Sequence, residues 1–296
     1  MTSIRTPRLP EPAPAGLVRR ALAWLQAAHA FPLIMVLALT ALIGAASSDG
    51  DIDAGRIALL VLAMLGSQLA IGWTNDYRDR ESDRVFQPSK PVPSGLVPAP
   101  WLPWAALIAV CASLAIGVTL GLAPLAFLVI GTAAGIVYDL GVKDTKLSWL
   151  PYLVAFAVLP PFVWTALGVF RDDFLWLYAV GAPLAVAGHI ANVLPDLDTD
   201  AASGRTSVAV TLGRRRSLML LGACVVAPGL LLLVTLPFVE YQWTILAATL
   251  VGFSVLVLGA ALAYRGLPDR RAAVTGFRCV VVAAVGFATG WLAAVA

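Results

Sequence analysis

Long apolar runs dominate this sequence, and they leave the chain few ways to fold. About nine stretches approach the ~20 residues that a helix needs to cross a hydrocarbon core. They fall near residues 30–46, 56–75, 101–119, 122–138, 149–168, 174–194, 217–237, 242–264 and 276–295. Inside lipid the backbone must satisfy its own N–H and C=O groups, so such runs span as helices. Composition agrees: 60% of residues are apolar and 12% charged, against about half and a quarter in soluble domains. The expected fold is all-α, a polytopic membrane bundle of about nine transmembrane helices.

Local signals refine that layout. Gly121 marks a very short turn between the third and fourth runs, with Pro124 at an acceptable helix start. Pro160 and Pro161 interrupt the fifth run, which is tolerable only if neighbouring helices satisfy the freed carbonyls. Residues 1–28 are polar and Pro-rich, then basic and amphipathic, and form a cytoplasmic segment in which 16–28 can lie as an interfacial helix. Gly44-Ala45-Ala46 after an apolar run is reminiscent of a signal-peptide cleavage site, but the leader is too long and further spans follow. Residues 29–296 form a single transmembrane domain, with pseudo-repeat halves at about 29–140 and 147–264 and a ninth helix.

Arginine and lysine set the orientation. Arg5, Arg8, Arg19 and Arg20 precede the first run. Arg78, Arg80, Arg84, Lys90, Lys143, Lys146, Arg205, Arg214 to Arg216, Arg265, Arg270 and Arg271 occupy the loops on that same side. The other side carries Arg56 and Arg171 beside Asp49, Asp51, Asp53, Asp172, Asp173 and Glu240. The N-terminus and the basic loops are therefore expected in the cytoplasm, with the chain integral to the cell inner membrane. The net charge of +3 is too small to point to nucleic acid. Cys111, Cys224 and Cys279 sit in apolar runs without metal-ligand spacing and read as packing residues.

Two acidic segments stand at the cytoplasmic ends of the second and sixth runs. Asn75, Asp79 and Asp83 are spaced i, i+4, i+8, one helical face. Asn192, Asp196 and Asp200 repeat that spacing, each 117 residues after its counterpart (Asn75, Asp79 and Asp83 respectively). Carboxylates at the membrane surface are costly and functional by default. Asp and Asn oxygens suit a hard cation such as Mg²⁺, which takes a few carboxylates and completes its shell with water and phosphate. Two such ladders facing each other can clamp a diphosphate through bound metal and weaken its carbon–oxygen bond. The competing reading is a pair of solvated helix ends with pairs such as Asp76–Arg80.

These residues resemble the UbiA superfamily of intramembrane prenyltransferases, so a UbiA-like bundle is expected. Asn75 to Asp83 resembles its N-x-x-x-D-x-x-x-D motif, and Lys90-Pro91-Val92-Pro93-Ser94-Gly95 its R-P-I-P-S-G continuation. Asp196 to Asp200, followed by Gly204-Arg205-Thr206 and by Leu212-Gly213, resembles its D-x-x-x-D segment with the trailing G-[KR]-x-T and L-G. Tyr138 and Lys143 resemble the family's Tyr…Lys pair. The resemblance implies that Asn75, Asp79, Asp83, Asn192, Asp196 and Asp200 coordinate Mg²⁺ and diphosphate. It implies that Lys143 contacts diphosphate, with Tyr138, Arg84, Lys90 and Arg205 as further contacts. Asp79, Asp83, Asp196, Asp200 and Lys143 are the catalytic candidates. The implied substrates are a prenyl diphosphate, lying in an apolar tunnel open to lipid, and a lipophilic acceptor, most often an aromatic ring. Pro-Val-Pro-Ser-Gly is similar to the branch with chlorophyll-type and archaeal-lipid-type enzymes. Lys90 replaces a more usual Arg, turning a bidentate contact into a point charge. His29 stands where many relatives have Arg.

Other residues read more plainly. His29 and His189 are expected to be supporting hydrogen-bonders, although His189 lies one turn before Asn192 and can serve as a base. Phe156 and Trp164 can shield a carbocation, with lipid contact the commoner role. Asp198 and Glu81 point away from the ladders. No nucleophilic triad, phosphate loop, zinc spacing or dinucleotide fingerprint is present, and nothing points to an obligate protein partner. Two alternatives remain at this point. An intramembrane terpene cyclase would use the same metals on prenyl diphosphate alone. A cation-coupled transporter would need acids near mid-bilayer on broken helices.

Overall fold

The computed structural model describes residues 16–48, 50–238, 242–265 and 270–295. The Pro-rich start with Arg5 and Arg8, together with Asp49 and Glu240, lies outside the described residues. Among the described residues every regular element is helical, the α-helices being α1 (Leu17–Ala27), α2 (Ala30–Ala46), α3 (Ala54–Phe86), α4 (Leu102–Leu120), α5 (Leu122–Leu140), α6 (Trp149–Leu167), α7 (Leu177–Val193), α8 (Leu197–Ala202), α9 (Val208–Thr235), α10 (Gln242–Arg265) and α11 (Arg270–Val295). Each of the nine predicted runs falls on one of these helices. Among the described residues 7 helices are long and apolar enough to span alone, and the α1–α2 pair, bent by 71°, makes up to 8. The apolar part of α10, Trp243–Leu258, is shorter.

Side-chain placement matches a bundle dissolved in lipid. The interior packs Leu60, Phe162, Val163, Trp164, Leu232 and Phe287, all essentially sealed. On the outside Ile108, Val118 and Val251 are each more than 60% exposed, being at 69%, 64% and 63%. A water-soluble surface does not carry such a belt. The protein is an integral membrane protein.

α1 lies across the bundle's end as the amphipathic sequence requires. Leu17, Val18 and Leu22 face outward, while Ala23 and Ala27 pack with Trp73 of α3. Trp73 donates its indole N–H to the Trp24 carbonyl at 3.1 Å. The elbow into α2 passes directly over Gly72. A Cβ on Gly72 would meet Ala28 backbone atoms at 2.6–2.7 Å, and a backbone cannot swing aside as a side chain can. His29, next in the chain, holds a positive φ of 56°, an uncommon conformation outside glycine. Gly72→Ala is therefore expected to destabilise the protein by about 1–3 kcal/mol, as overpacking does. Thermal unfolding in detergent checks this, and an unchanged midpoint would show that the elbow can relax.

Two prolines shape the helices that reach the site. Pro161 has no N–H for the Ala157 carbonyl four residues earlier. The Tyr178 hydroxyl of α7 donates to that carbonyl instead, at 2.8 Å. For Pro161 the sequence requirement for a neighbouring partner is thus met. Pro195 has the larger effect. It ends α7 at Val193, followed by a 3-10 turn at Leu194–Asp196 and the short α8. The second ladder therefore does not ride one continuous helical face as the i, i+4, i+8 spacing predicts. The first ladder does, because α3 runs unbroken from its cap at Asp53, which accepts from the Arg56 N–H at 2.8 Å, to Phe86.

Candidate active site

The end of the bundle with the basic loops holds a polar chamber of about 410 Å³. Asn75, Asp79 and Asp83 line one wall from α3; Asn192 from α7, Asp196 from the 3-10 turn and Asp200 from α8 line another. The two ladders face each other across a single space. The decisive link is Arg205, just after α8. Its Nη1 donates to Asp200 at 3.1 Å and its Nη2 to Asp79 at 3.3 Å, while its Nε lies 3.1 Å from Asp144. One guanidinium therefore spans both acidic segments. Burial works against its charge, yet Asp79, Asp200 and Asp144 outweigh that and hold its pKa above the usual arginine value.

The other bases have equally local causes. Gly141, at φ 147°, ends α5 and turns Lys143 back into the chamber. Lys143, only 9% exposed, donates to Asn75 and to Asp79, each at 2.7 Å. Lys90 is set by the Pro-Val-Pro-Ser-Gly turn. Val92 and Val97 pack beneath Trp24 and Trp73, and Val97 N–H bonds the Pro91 carbonyl at 3.0 Å. That anchoring delivers the Lys90 ammonium to Asp83 at 2.7 Å. The loop after α5 is tied to the one after α8, because the Asp144 carbonyl accepts both the N–H and the hydroxyl of Thr206, at 2.9 and 3.0 Å.

Of the predicted site residues, Arg84 is not brought in. It is exposed and pairs with Glu81 at 3.0 Å, on the outer side of α3. Asp198 is likewise turned out, bound to Arg214 at 2.8 Å. The pairing of Asp76 with Arg80 does not form. Asp76 is 2% exposed, 3.1 Å from the His29 Nε2 and 3.8 Å from Lys90. Arg80 instead donates to the Tyr77 carbonyl and lies over the Tyr77 ring at 4.3 Å. The same Nε2 lies 2.9 Å from the Asn75 amide nitrogen, so His29 braces the first ladder. His189 is fully buried, 3.0 Å from the Ser148 hydroxyl, and supports the wall behind Tyr138. Sequence reasoning missed Asp139, whose signal was an acid inside the last turn of an apolar run.

A second, mostly apolar chamber of about 320 Å³ extends into the bundle between α2, α3, α5, α6, α7 and α11. Leu39, Ile43, Met64, Phe127, Phe156 and Phe162 line it. Trp164 does not; its ring is sealed in the core and its N–H donates to Ser47 at 2.9 Å. The two chambers share His29, Pro32, Asn75, Tyr138, Asn192 and Phe277 as lining residues. Polar and apolar spaces thus meet at a waist made by the first residue of each ladder and one tyrosine.

The donors around the polar chamber are carboxylate and amide oxygens, the set a hard divalent cation prefers. Among the described residues no three His, Cys, Asp or Glu side chains converge at metal-ligand geometry. Lys143, Lys90 and Arg205 stand between the carboxylates and are bonded to them. An incoming phosphate would give those cations other oxygens to bind. The donor chemistry therefore fits Mg²⁺ held jointly by protein and substrate.

Residues 34–282 match the sequence profile of the UbiA prenyltransferase family. The chain belongs to that family. The matched region includes both ladders, Lys90, Lys143 and Arg205, and begins after His29. Among curated UbiA-type relatives, digeranylgeranylglyceryl phosphate synthase of Natronomonas pharaonis is 29% identical over 263 residues, 86% of this chain and 91% of that one. The bacteriochlorophyll synthase 33 kDa chain of Cereibacter sphaeroides is 32% identical over 190 residues, covering 60% and 62%. A UbiA homologue from Archaeoglobus fulgidus, solved with GPP and Mg²⁺, superposes with a TM-score of 0.65 at 16% identity, covering 90% of this chain and 99% of the other. That likeness establishes the UbiA fold, and the family makes this chain a transferase of the prenyltransferase class.

Proposed function

We propose that this UbiA-family protein is a Mg²⁺-dependent intramembrane prenyltransferase that moves a prenyl group from its diphosphate to a lipophilic acceptor. The observation that carries this reading is the continuity of a charged chamber with an apolar one through the Asn75–Tyr138–Asn192 waist. A prenyl diphosphate has that same shape, an anionic head on a hydrocarbon tail. With the head beside Lys143, Lys90 and Arg205, the tail lies among Phe127, Phe156 and Phe162, and the bond to be broken sits at the waist.

Asn75, Asp79, Asp83, Asn192, Asp196 and Asp200 are the residues that would hold Mg²⁺. When bound, the metal neutralises the diphosphate and makes it a better leaving group. The chain's own bases do the rest of the head-group work. Lys143 and Lys90 are point charges for phosphate oxygens, and Arg205 offers a planar fork. Water is kept from the allylic cation by the apolar walls, so that the acceptor captures it and then loses a proton. The two named relatives make different products, which supports a lipophilic acceptor without choosing its ring or chain. The aromatic acceptor implied by the sequence resemblance stays one member of that class. The basic loops support a cytoplasmic mouth in the cell inner membrane.

The test uses purified protein in nanodiscs with Mg²⁺, a series of isoprenyl diphosphates and a panel of acceptors, read by mass spectrometry. A prenylated acceptor is expected, lost on chelation and restored by added Mg²⁺. A cyclic hydrocarbon formed without acceptor would replace transfer by terpene cyclisation. No consumption of any prenyl diphosphate would remove both.

A further inference from the structure

The apolar chamber has a definite depth, because the helices that wall it run down from the waist and their lining residues stop. On α3 the lining extends from Asn75 to Met64, and on α5 from Tyr138 to Phe127, eleven residues in each case. At the helical rise of about 1.5 Å per residue that is about 16–17 Å. On α7 it extends from Asn192 to Leu177, fifteen residues, or about 22 Å. Past this level the bundle is shut. Leu60, one turn beyond Met64, and Trp164 are each 0% exposed, and they pack in one cluster with Ile43, Leu128 and Leu177.

Glycines in this wall are of two kinds. Gly72, Gly131 and Gly135 are there for packing: a Cβ would press on Ala28, on Val158 and on Ile71 respectively. Gly181 and Gly188 of α7 line the same chamber, yet a Cβ on either would meet no atom within 4 Å. No neighbour requires glycine at those two positions. Inside a helix glycine is destabilising relative to alanine, so the pair lowers stability with no gain in packing. What it provides is room inside the chamber. Gly188 stands one turn below Asn192 and Gly181 eleven residues below it, about 16–17 Å down.

Resting on the prenyl-transfer reading, we infer that the apolar chamber selects prenyl tails of three to four isoprene units, and that Gly181 keeps its deep end open for the last of them. An extended isoprene unit advances about 5 Å, four carbon–carbon bonds of about 1.5 Å in zigzag. Three units reach about 15 Å and four about 20 Å, the range between the shallower walls and the deeper one. Two units stop short of Gly181. Eight units, about 40 Å, exceed even the ~30 Å hydrocarbon core and cannot end inside the chamber. Fit, not hydrophobicity, makes the selection. The tail comes from lipid, which is as apolar as the chamber wall, so the contacts made and the gaps left decide between lengths.

The test uses full-length protein in nanodiscs with Mg²⁺, titrated calorimetrically with unreactive prenyl thiodiphosphates of two, three, four and eight isoprene units. Wild type is expected to bind the three- and four-unit analogues most tightly, and the eight-unit analogue at least about tenfold more weakly, as overfilling a packed space does. Gly181→Leu places a side chain at the deep end, where its Cβ has space and leucine favours the helix. It is expected to weaken the four-unit analogue at least about tenfold, with the two-unit analogue held within about twofold. Gly181→Ala, a smaller plug, is expected to shift the preference the same way by about threefold, and it carries the test if leucine disturbs the bundle. Equal binding of all four analogues by wild type, or an unchanged length preference in both variants, would overturn the inference. An equal loss across all lengths would overturn it too, since it would mean damage at the head-group site and not a shortened chamber. Failure of wild type to bind any of the thiodiphosphates would strike at prenyl transfer itself, and at this inference with it.

Discussion

Asp79→Asn is expected to reduce prenyl transfer by about 10³-fold or more, because this one carboxylate serves three partners at once. It accepts from Lys143 at 2.7 Å and from Arg205 at 3.3 Å, and it is a proposed ligand for Mg²⁺. Removing a single preorganised electrostatic contact costs about 10²–10³ in rate, and here a metal ligand is lost as well. Asn is a better probe than Ala. Asp79→Ala would leave Lys143, 9% exposed, short of its charged partner, and breaking a buried ion pair destabilises by about 3–5 kcal/mol. The amide still accepts from Lys143, so the variant should remain folded. Asp196→Ala, with its side chain on the opposite wall, should give a comparable loss. Steady-state transfer, with thermal unfolding as a control, reads all three. Near-wild-type rates in Asp79→Asn and Asp196→Ala together would remove the site assignment.

Lys143→Met is expected to cost about 10²-fold in transfer and to weaken prenyl diphosphate binding. Its ammonium is buried and points into the chamber between Asn75 and Asp79. A bound diphosphate would take those hydrogen bonds in turn, so loss of the charge falls on substrate and on the transition state alike. Stability should suffer less than in Asp79→Ala, since Asp79 keeps Arg205. Lys143→Arg should rescue poorly, because a planar fork cannot occupy the space of a compact ammonium. The measurement is KM and kcat against prenyl diphosphate concentration. A raised KM with unchanged kcat would show that Lys143 binds the substrate without favouring its ionisation.

The bundle, and most of the residues that line its polar chamber, were legible in the chain. Apolar runs of spanning length leave only helices, because lipid offers no partner for an unpaired backbone group. Two ladders of equal spacing at one fixed offset marked the candidate site, since carboxylates at a membrane surface are costly. What spacing could not convey was the path of the backbone between them. Pro195 breaks the second ladder across a turn, and Arg84, close in sequence to Asp83, faces away on the far side of α3. Asp139 went unremarked because a lone acid carries no periodicity, and its missing partner shows only when every neighbour is in place.

The sequence by itself determined that this chain is a helical membrane protein with two acidic segments on one side, because hydropathy and helical period act locally. Only the tertiary structure decided that a single arginine, Arg205, bridges those segments, and that the charged chamber opens into an apolar one at Asn75, Tyr138 and Asn192. Both depend on contacts between residues far apart in the chain, which packing of the helices alone can bring together.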